Sequence, residues 1–231
     1  MLKINNLNAY YGKSHILQGV DLEVKNGEIV SLLGRNGVGR STMIKCIMGL
    51  VKSEGSIIFN GIEIIKKNIH EISNMGLGYV PENREIFPDM TVEENLELGK
   101  KSYKSEFAWD LEELLELFPN LKKRMKVLGG LLSGGEQQML TICRSLIGNP
   151  TLIMIDEPTE GLSPQMVNNV ESLLKKISDK GTSILLVEQK LTMAFKLSHR
   201  LYVMGHGKIV HEGTPEKIKN NANIIKEWLE V

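Results

Sequence analysis

The sequence predicts an α/β fold with a parallel sheet at its core, an N-terminal antiparallel β-subdomain and an inserted α-helical subdomain. Three largely apolar runs, at residues 29–33, 152–155 and 182–187, have the hydrophobicity of strands that are buried on both faces of a parallel sheet. Residues 85–148 carry helical patterns without strand signals. We therefore expect one α/β unit that surrounds a helical insertion.

Length, composition and charge limit the classes of protein to which the chain can belong. Its 231 residues are 42% hydrophobic, which suits one large domain with a sizeable core. Lys and Arg number 28 against 28 Asp and Glu, so the net charge does not point to nucleic acid as a partner. We find no secretory signal, and no apolar run approaches the ~18 residues of a membrane span. A cytosolic globular protein is expected.

The N-terminal segment predicts the antiparallel strands. Residues 2–9 form a first strand, residues 16–24 alternate apolar and polar positions, and the following Asn-Gly pair is typical of a hairpin turn. Tyr11 is placed in the turn between the first two strands. Its ring is a candidate to stack on an adenine base, although a half-buried tyrosine at a strand end explains it equally well.

A glycine-rich loop at residues 34–42 follows the apolar run at 29–33 and precedes a helical pattern at 43–48. Strand, loop and helix in this order are the context of a P-loop, in which backbone N–H groups and the helix N-terminus bind nucleotide phosphates. Ser41 has the position whose hydroxyl binds Mg²⁺. The predicted nucleotide-binding residues of the loop are Gly34, Asn36, Gly37, Gly39, Arg40, Ser41 and Thr42.

Helical signals continue through the middle of the chain. A capping box starts a helix near Val92, and leucines at helical spacing predict another over residues 110–118 that ends at Pro119. Further on, a helix with one apolar face follows Ser133, Gly134 and Gly135. These residues form either an ordinary N-cap or a second helix N-terminus that receives a phosphate.

Acidic and amide side chains follow the predicted core strands. Asp156 and Glu157 end one apolar run, at the edge where α/β sheets bind ligands. Asp156 is placed to hold Mg²⁺ and Glu157 to polarise a water that attacks the terminal phosphate, although an acidic pair at a strand end can also be incidental. Gln189 follows the next strand, where it can sense the same phosphate.

In this order, the motifs resemble ATP-binding cassette (ABC) ATPases over nearly the whole chain, from Ile4 to about Gly213. The resemblance implies a RecA-like P-loop NTPase core, formed by residues 1–84 and 149–231, with residues 85–148 as the helical subdomain. ATP and Mg²⁺ are the implied ligands. The implied catalytic residues are Glu157, Gln189 and Arg40, and the implied metal ligands are Ser41, Glu82 and Asp156.

The resemblance also implies partners. Two ABC ATPase subunits, identical or paralogous, would form a head-to-tail dimer with ATP between the P-loop of one subunit and Ser133, Gly134 and Gly135 of the other. Membrane-spanning permease subunits would contact the groove near Glu82 and the helical subdomain. The protein would therefore be peripheral, at the cytoplasmic face of the cell membrane.

Four strings are similar to the ATPase subunits of importers for branched-chain amino acids and urea, and the first and last favour the urea branch. They are residues 32–39, 80–88, 156–164 and 187–191. The chain departs from the general family pattern at Glu82, Ser163 and Gln189, where Gln, Asp and His are usual. Glu82 and Gln189 recur in this importer group. The expected function is ATP-driven dimer closure that powers the import of a small polar or amino-acid solute.

Arg40 stands where the P-loop motif has lysine. A guanidinium is planar and bulkier than an ammonium and prefers bidentate partners, so we expect hydrolysis to fall more than ATP binding. Two other functions stay open: an ABC ATPase outside transport, and a nucleotide-binding regulator with impaired hydrolysis. Translation-type members carry two cassettes and DNA-maintenance members a long coiled coil, and neither feature is found here. The sequence also leaves open which solute is transported.

Overall fold

The computed structural model describes residues 1–101 and 108–230, which form two sheets and the helices that cover them. The strands are β1 (Leu2–Tyr11), β2 (Ser14–Val24), β3 (Ile29–Leu33), β4 (Ser53–Phe59), β5 (Ile62–Glu63), β6 (Leu77–Val80), β7 (Leu152–Asp156), β8 (Ser183–Val187), β9 (Arg200–Gly205) and β10 (Lys208–Gly213). The helices are α1 (Arg40–Ile47), α2 (Ile69–Asn74), α3 (Val92–Glu97), α4 (Leu111–Leu117), α5 (Pro119–Lys122), α6 (Gly134–Ile147), α7 (Pro164–Asp179), α8 (Leu191–Leu197), α9 (Pro215–Lys219) and α10 (Ala222–Ile224). A 3₁₀ turn spans Gly129–Leu131, and a π-helix spans Ile225–Leu229.

The larger sheet has the strand order β10-β9-β3-β8-β7-β6. All neighbouring strands in it are parallel except β10, which pairs antiparallel with β9 at one edge. Every residue of β3, β7 and β8 is buried, as their apolar runs predict. The predicted α/β class is thus confirmed. Because the strands are parallel, the C-terminal ends of β3, β6, β7 and β8 meet at one edge, where the P-loop begins.

The smaller sheet has the antiparallel order β2-β1-β4-β5 and supplies the predicted N-terminal β-subdomain. Its apolar face packs with α1 and with one face of the larger sheet in a shared hydrophobic core. The placement of Tyr11 in a turn was wrong, because β1 continues through this residue, which pairs with Ser14 of β2. The tyrosine therefore has a fixed position at the end of a sheet.

One helix boundary differs from the sequence-based expectation, and a short further helix begins directly after one that ends as predicted. The P-loop helix begins at Arg40 rather than near residue 43, since Gly39 serves as its N-cap and Arg40, Ser41 and Thr42 form its first turn. Pro119 follows α4, as predicted, but it also begins α5. Proline is tolerated there because the N–H groups of a first helical turn have no intrahelical partner.

Between β6 and β7, the described residues contain α3 to α6 and one isolated antiparallel bridge, between Thr91 and Leu128. Their apolar side chains pack with α7 and the other face of the larger sheet. Residues 102–107 of the predicted helical subdomain lie outside the described residues, and its boundaries stay a prediction. Within 1–101 and 108–230, no helix combines the length and hydrophobicity that a bilayer span requires.

Candidate nucleotide site

The P-loop turns sharply between β3 and α1. A Cβ atom on Gly34 would lie 2.5 Å from the carbonyl oxygen of Met204, so the backbone can pass there only without a side chain. Gly39 has a φ of 110°, and a Cβ on it would lie 2.9 Å from Cδ2 of Leu17. Both positions therefore require glycine. The turn that they permit presents the N-terminus of α1, whose free N–H groups are suited to an anion.

A cavity of about 460 Å³ opens at the start of α1. The P-loop, the N-terminal sheet and the loops that follow β6 and β7 form its walls. It brings together most of the predicted site residues, namely Tyr11, Asn36, Gly37, Gly39, Arg40, Ser41, Thr42, Glu82 and Glu157. Ile16 and Glu160 also line it and were not predicted, Ile16 because it belongs to no motif and Glu160 because the string at 156–164 gave it no role of its own. Tyr11 is 48% exposed, which leaves its ring accessible for stacking on a base.

Ser41 and Asp156 meet where the P-loop passes the end of β7. The Ser41 hydroxyl donates a hydrogen bond to Oδ1 of Asp156 at 3.1 Å. Asp156 is buried, and this burial raises the pKa of its carboxyl, whereas the bond from Ser41 opposes the rise. The two oxygens of this contact come from residues that are 115 positions apart in the chain. The fold thus assembles the predicted hydroxyl and carboxylate pair.

These oxygens suit Mg²⁺ held jointly with a nucleotide. Mg²⁺ in nucleotide enzymes takes one or two protein carboxylates and completes its shell with phosphate oxygens and waters. Among the residues described, no group of three or more His, Cys, Asp or Glu is arranged to hold a metal ion alone. Ser41 and Asp156, with Glu82 on the same cavity wall, have the oxygen chemistry that a shared site needs.

Arg40 forms an ion pair with Glu157. Its Nη2 lies 2.5 Å from Oε1 of Glu157 and 3.0 Å from Oδ1 of Asn36. The two charged side chains are only 4% and 11% exposed. The other terminal nitrogen of Arg40, Nη1, is buried and has no hydrogen-bond acceptor among the described residues. The guanidinium therefore joins the P-loop to the end of β7 while one of its donors stays unsatisfied.

Glu157 has an unusual backbone conformation. Its φ is 44°, in the left-handed region that few non-glycine residues adopt. Its N–H donates to the carbonyl oxygen of Val187 at 2.9 Å, which ties it to the end of β8. Burial raises the pKa of its carboxyl, and the Arg40 charge opposes that rise. Such strain is often found at functional sites, where the surrounding structure maintains it.

Gln189 is not among the residues that line the cavity. It lies in the loop after β8, which is held by hydrogen bonds to the buried side chain of Glu188. Glu188 accepts hydrogen bonds from the Thr159 hydroxyl at 3.1 Å and from the N–H groups of Gln189 and Lys190 at 3.1 and 3.0 Å. The loop after β7 is thereby joined to the loop after β8. Sequence reasoning missed Glu188, although an acidic residue directly after a buried strand was a usable signal.

Replacing Thr159 with valine is expected to lower the free energy of unfolding by about 1–3 kcal/mol, because a buried carboxylate loses a hydroxyl donor. Burial raises the pKa of Glu188, and the Thr159 hydrogen bond opposes that rise. The substitution therefore raises this pKa further. A carboxyl whose pKa is raised in the folded state destabilises the protein as the pH rises above the pKa that the group has in the unfolded state. The loss of unfolding free energy caused by Thr159→Val should therefore be larger near pH 8 than near pH 5.

Urea unfolding at both pH values measures this effect. Thr182→Val is the matched control, since Thr182 is also fully buried but its hydroxyl donates, among the described residues, to a neutral carbonyl oxygen, that of Pro150 at 3.5 Å. The control should show little dependence on pH. Equal losses for Thr159→Val at both pH values would contradict the assigned role of the Thr159 hydroxyl.

Ser133, Gly134 and Gly135 form the N-terminus of α6. Ser133 and Glu136 make a capping box, in which the Ser133 N–H donates to Oε2 of Glu136 at 2.8 Å. Arg124 also pairs with Glu136, at 2.9 Å. Ser133, Gly134 and Gly135 do not line the P-loop cavity of their own chain. Their contact with the P-loop of another subunit stays a prediction.

Comparison with known proteins gives a consistent family. Residues 17–160 match the family model described as ABC transporter. The high-affinity branched-chain amino acid transport ATP-binding protein BraG of Pseudomonas aeruginosa is 38% identical over 231 residues, which cover 99% of each chain. The probable branched-chain amino acid transport ATP-binding protein LivF of Archaeoglobus fulgidus is 36% identical over 98% of this chain and 97% of that protein. The lipopolysaccharide export system ATP-binding protein LptB of Haemophilus influenzae is 32% identical over 99% and 97%.

Solved structures agree with this result. A nucleotide-free ATP-binding cassette from an ABC transporter superposes with a TM-score of 0.83 at 29% identity, over 98% of this chain and 97% of that one. A dimeric cassette in a post-hydrolysis state, bound to ADP and Pi, superposes with a TM-score of 0.82 at 28% identity, over 93% and 99%. This chain therefore belongs to the ABC transporter family, as an ATP-binding domain.

Proposed function

We propose that this chain binds and hydrolyses ATP to power a membrane importer for amino-acid solutes. The observation that carries the proposal is the pair of contacts between the P-loop and the end of β7. Ser41 contacts Asp156, and Arg40 contacts Glu157, so a hydroxyl, a cation and two carboxylates meet where the P-loop passes the end of β7. A regulatory fold without ATP chemistry has no need for this set at one strand end.

Each group has a role that follows from its chemistry. The backbone N–H groups of the loop and the guanidinium of Arg40 bind phosphate oxygens. Ser41, Asp156 and Glu82 would hold Mg²⁺, which neutralises developing phosphate charge when bound. Glu157 orients and polarises the attacking water. Gln189 would donate a hydrogen bond toward the terminal phosphate, for which its loop must approach the cavity.

The relatives support an amino acid as the solute. BraG and LivF are named for branched-chain amino acid transport, and each aligns with this chain over nearly its full length. LptB, which is named for lipopolysaccharide export, is less similar. We therefore place the chain in a branched-chain amino acid importer. The urea importer favoured by two strings of the sequence stays the alternative, and the uptake experiment below distinguishes the two.

The partners in this proposal are a second ATPase subunit and permease subunits. In a head-to-tail dimer, the nucleotide site of one subunit would be completed by Ser133, Gly134 and Gly135 of the other. The N-terminus of α6 would then bind phosphate. A separate groove between the larger sheet and the helices after β6 exposes Phe87 and Leu98, at 47% and 55%. Exposed apolar side chains in a groove favour a permease segment as the occupant. In this proposal the chain lies at the cytoplasmic face of the membrane.

The Arg40–Glu157 contact favours a second candidate, a nucleotide-binding subunit with impaired hydrolysis. A carboxylate that is paired with a guanidinium at 2.5 Å is a poorer proton acceptor than a free one. In this candidate ATP still closes the dimer, but turnover is slow and the closed state persists.

The uptake test replaces Asp156 with asparagine in the source cell, as the only copy of the protein. We expect this substitution to abolish the uptake of labelled leucine. The uptake of urea, and of proline as a second control solute, should be retained. Selective loss of urea uptake would transfer the chain to the urea importer. If all three uptakes persist while the purified wild-type protein hydrolyses ATP, the protein acts outside these transport systems and the importer assignment is wrong.

A further inference from the structure

We propose that the Arg40–Glu157 ion pair lowers the affinity of the site for a nucleoside triphosphate relative to a diphosphate. This inference rests on the proposed function. The two side chains are in direct contact in the structure, and a third phosphate must separate them, whereas a diphosphate binds with the ion pair intact. Arg40 thereby determines specificity as well as binding phosphate.

The first step of the argument is spatial. Arg40 is the first residue of α1, and Glu157 directly follows β7, so the pair spans the cavity between the P-loop and the sheet edge. Its two atoms are 2.5 Å apart, a separation that admits neither a water nor a phosphate oxygen between them. If Glu157 polarises the attacking water, this water and the terminal phosphate must both lie between Glu157 and the P-loop. The ion pair therefore has to open before the reaction.

The second step concerns what opens it. The guanidinium uses Nη2 for both Glu157 and Asn36, while the buried Nη1 has no acceptor in the described structure. A buried donor without a partner is costly, so the closed pair is not the most favourable state for this group. A phosphate presents several charged oxygens and suits a guanidinium fork. It can therefore replace Glu157 as the partner of Arg40.

The third step concerns the choice of nucleotide. The inner phosphates of any nucleotide can bind the N–H groups of the loop without approaching Glu157. Only the phosphate that is attacked must come next to the general base. Binding of a triphosphate therefore requires free energy to separate this buried ion pair, whereas binding of a diphosphate does not. Removing the Glu157 charge should release this cost.

The experiment measures the affinity of monomeric protein for a non-hydrolysable ATP analogue and for ADP, both with Mg²⁺, by isothermal titration calorimetry. Glu157→Gln is expected to raise the affinity for the analogue about tenfold and to change that for ADP little. Glu160→Gln is the matched control, because Glu160 lines the same cavity but pairs with no cation among the described residues. It measures the nonspecific gain from removing one negative charge.

Arg40→Lys completes a double-mutant cycle. In the Lys background, Glu157→Gln should raise the affinity for the analogue no more than Glu160→Gln does, because the shorter, point-like cation does not hold the same pair. The proposal is overturned if Glu157→Gln and Glu160→Gln have equal effects in the wild type, or if ADP gains as much as the analogue. Failure of wild type and all variants to bind either nucleotide would instead overturn the proposed function.

Discussion

Arg40→Lys is expected to raise steady-state Mg-ATP hydrolysis, measured at saturating Mg-ATP, by at least about tenfold. The physical reason is the ion pair. In the wild type, Glu157 is bound by a guanidinium that also contacts Asn36, and both charged side chains are nearly dry. A lysine ammonium at this position keeps a positive charge for the phosphates and leaves the carboxylate free to polarise water.

The measurement compares purified wild type and variant at saturating Mg-ATP, with the affinity of each determined separately. Arg35→Lys is the matched control, since Arg35 belongs to the same loop but its guanidinium donates to the carbonyl oxygen of Lys226, at 3.3 Å, and pairs with no carboxylate in the described part of the chain. Its turnover should stay close to that of the wild type. Equal and substantial turnover of wild type and Arg40→Lys would mean that the loop accommodates arginine, and the impaired-hydrolysis candidate would be rejected.

The parts of the fold that depend on local sequence patterns could be predicted from the sequence. The apolar runs of β3, β7 and β8 predicted buried parallel strands, and the glycines of the loop after β3 predicted a phosphate-binding turn. Asp156 and Glu157 could be placed at the edge of the sheet because strand direction determines where a side chain after a strand lies. The start of the P-loop helix at Arg40 was misplaced because one-residue capping preferences are weaker signals than periodicity.

The contacts that decide the chemistry could not be predicted in this way. Arg40 and Glu157 are 117 positions apart, and the sequence only suggested that Arg40 was unusual. Which acceptor its side chain reaches depends on the separation of α1 from the end of β7, and that separation is a property of the packed sheet. The Glu188–Thr159 contact, which spans 29 positions between two loops, was missed for the same reason.

Glu157→Gln is expected to lower ATP turnover at least about 100-fold when it is introduced into the Arg40→Lys protein, because general bases typically contribute 10²–10⁴-fold. The Lys background is the informative one, since the wild-type rate is already low if Arg40 occupies the base. Glutamine keeps the size and hydrogen-bonding oxygen of glutamate but cannot accept a proton. Binding of ATP should therefore persist while hydrolysis is lost.

A control variant and the backbone geometry make this test specific for the role of Glu157 as a general base. Glu160→Gln in the same background removes a neighbouring carboxylate of the cavity and should leave turnover little changed. The strained backbone at Glu157, with its φ of 44° and its bond to Val187, is unaffected by an amide side chain, so loss of turnover is not explained by a distorted loop. Retained turnover in Arg40→Lys/Glu157→Gln would show that another group activates the water. Since selectivity and catalysis are both assigned to one contact, such a result would leave Arg40–Glu157 as a binding element alone.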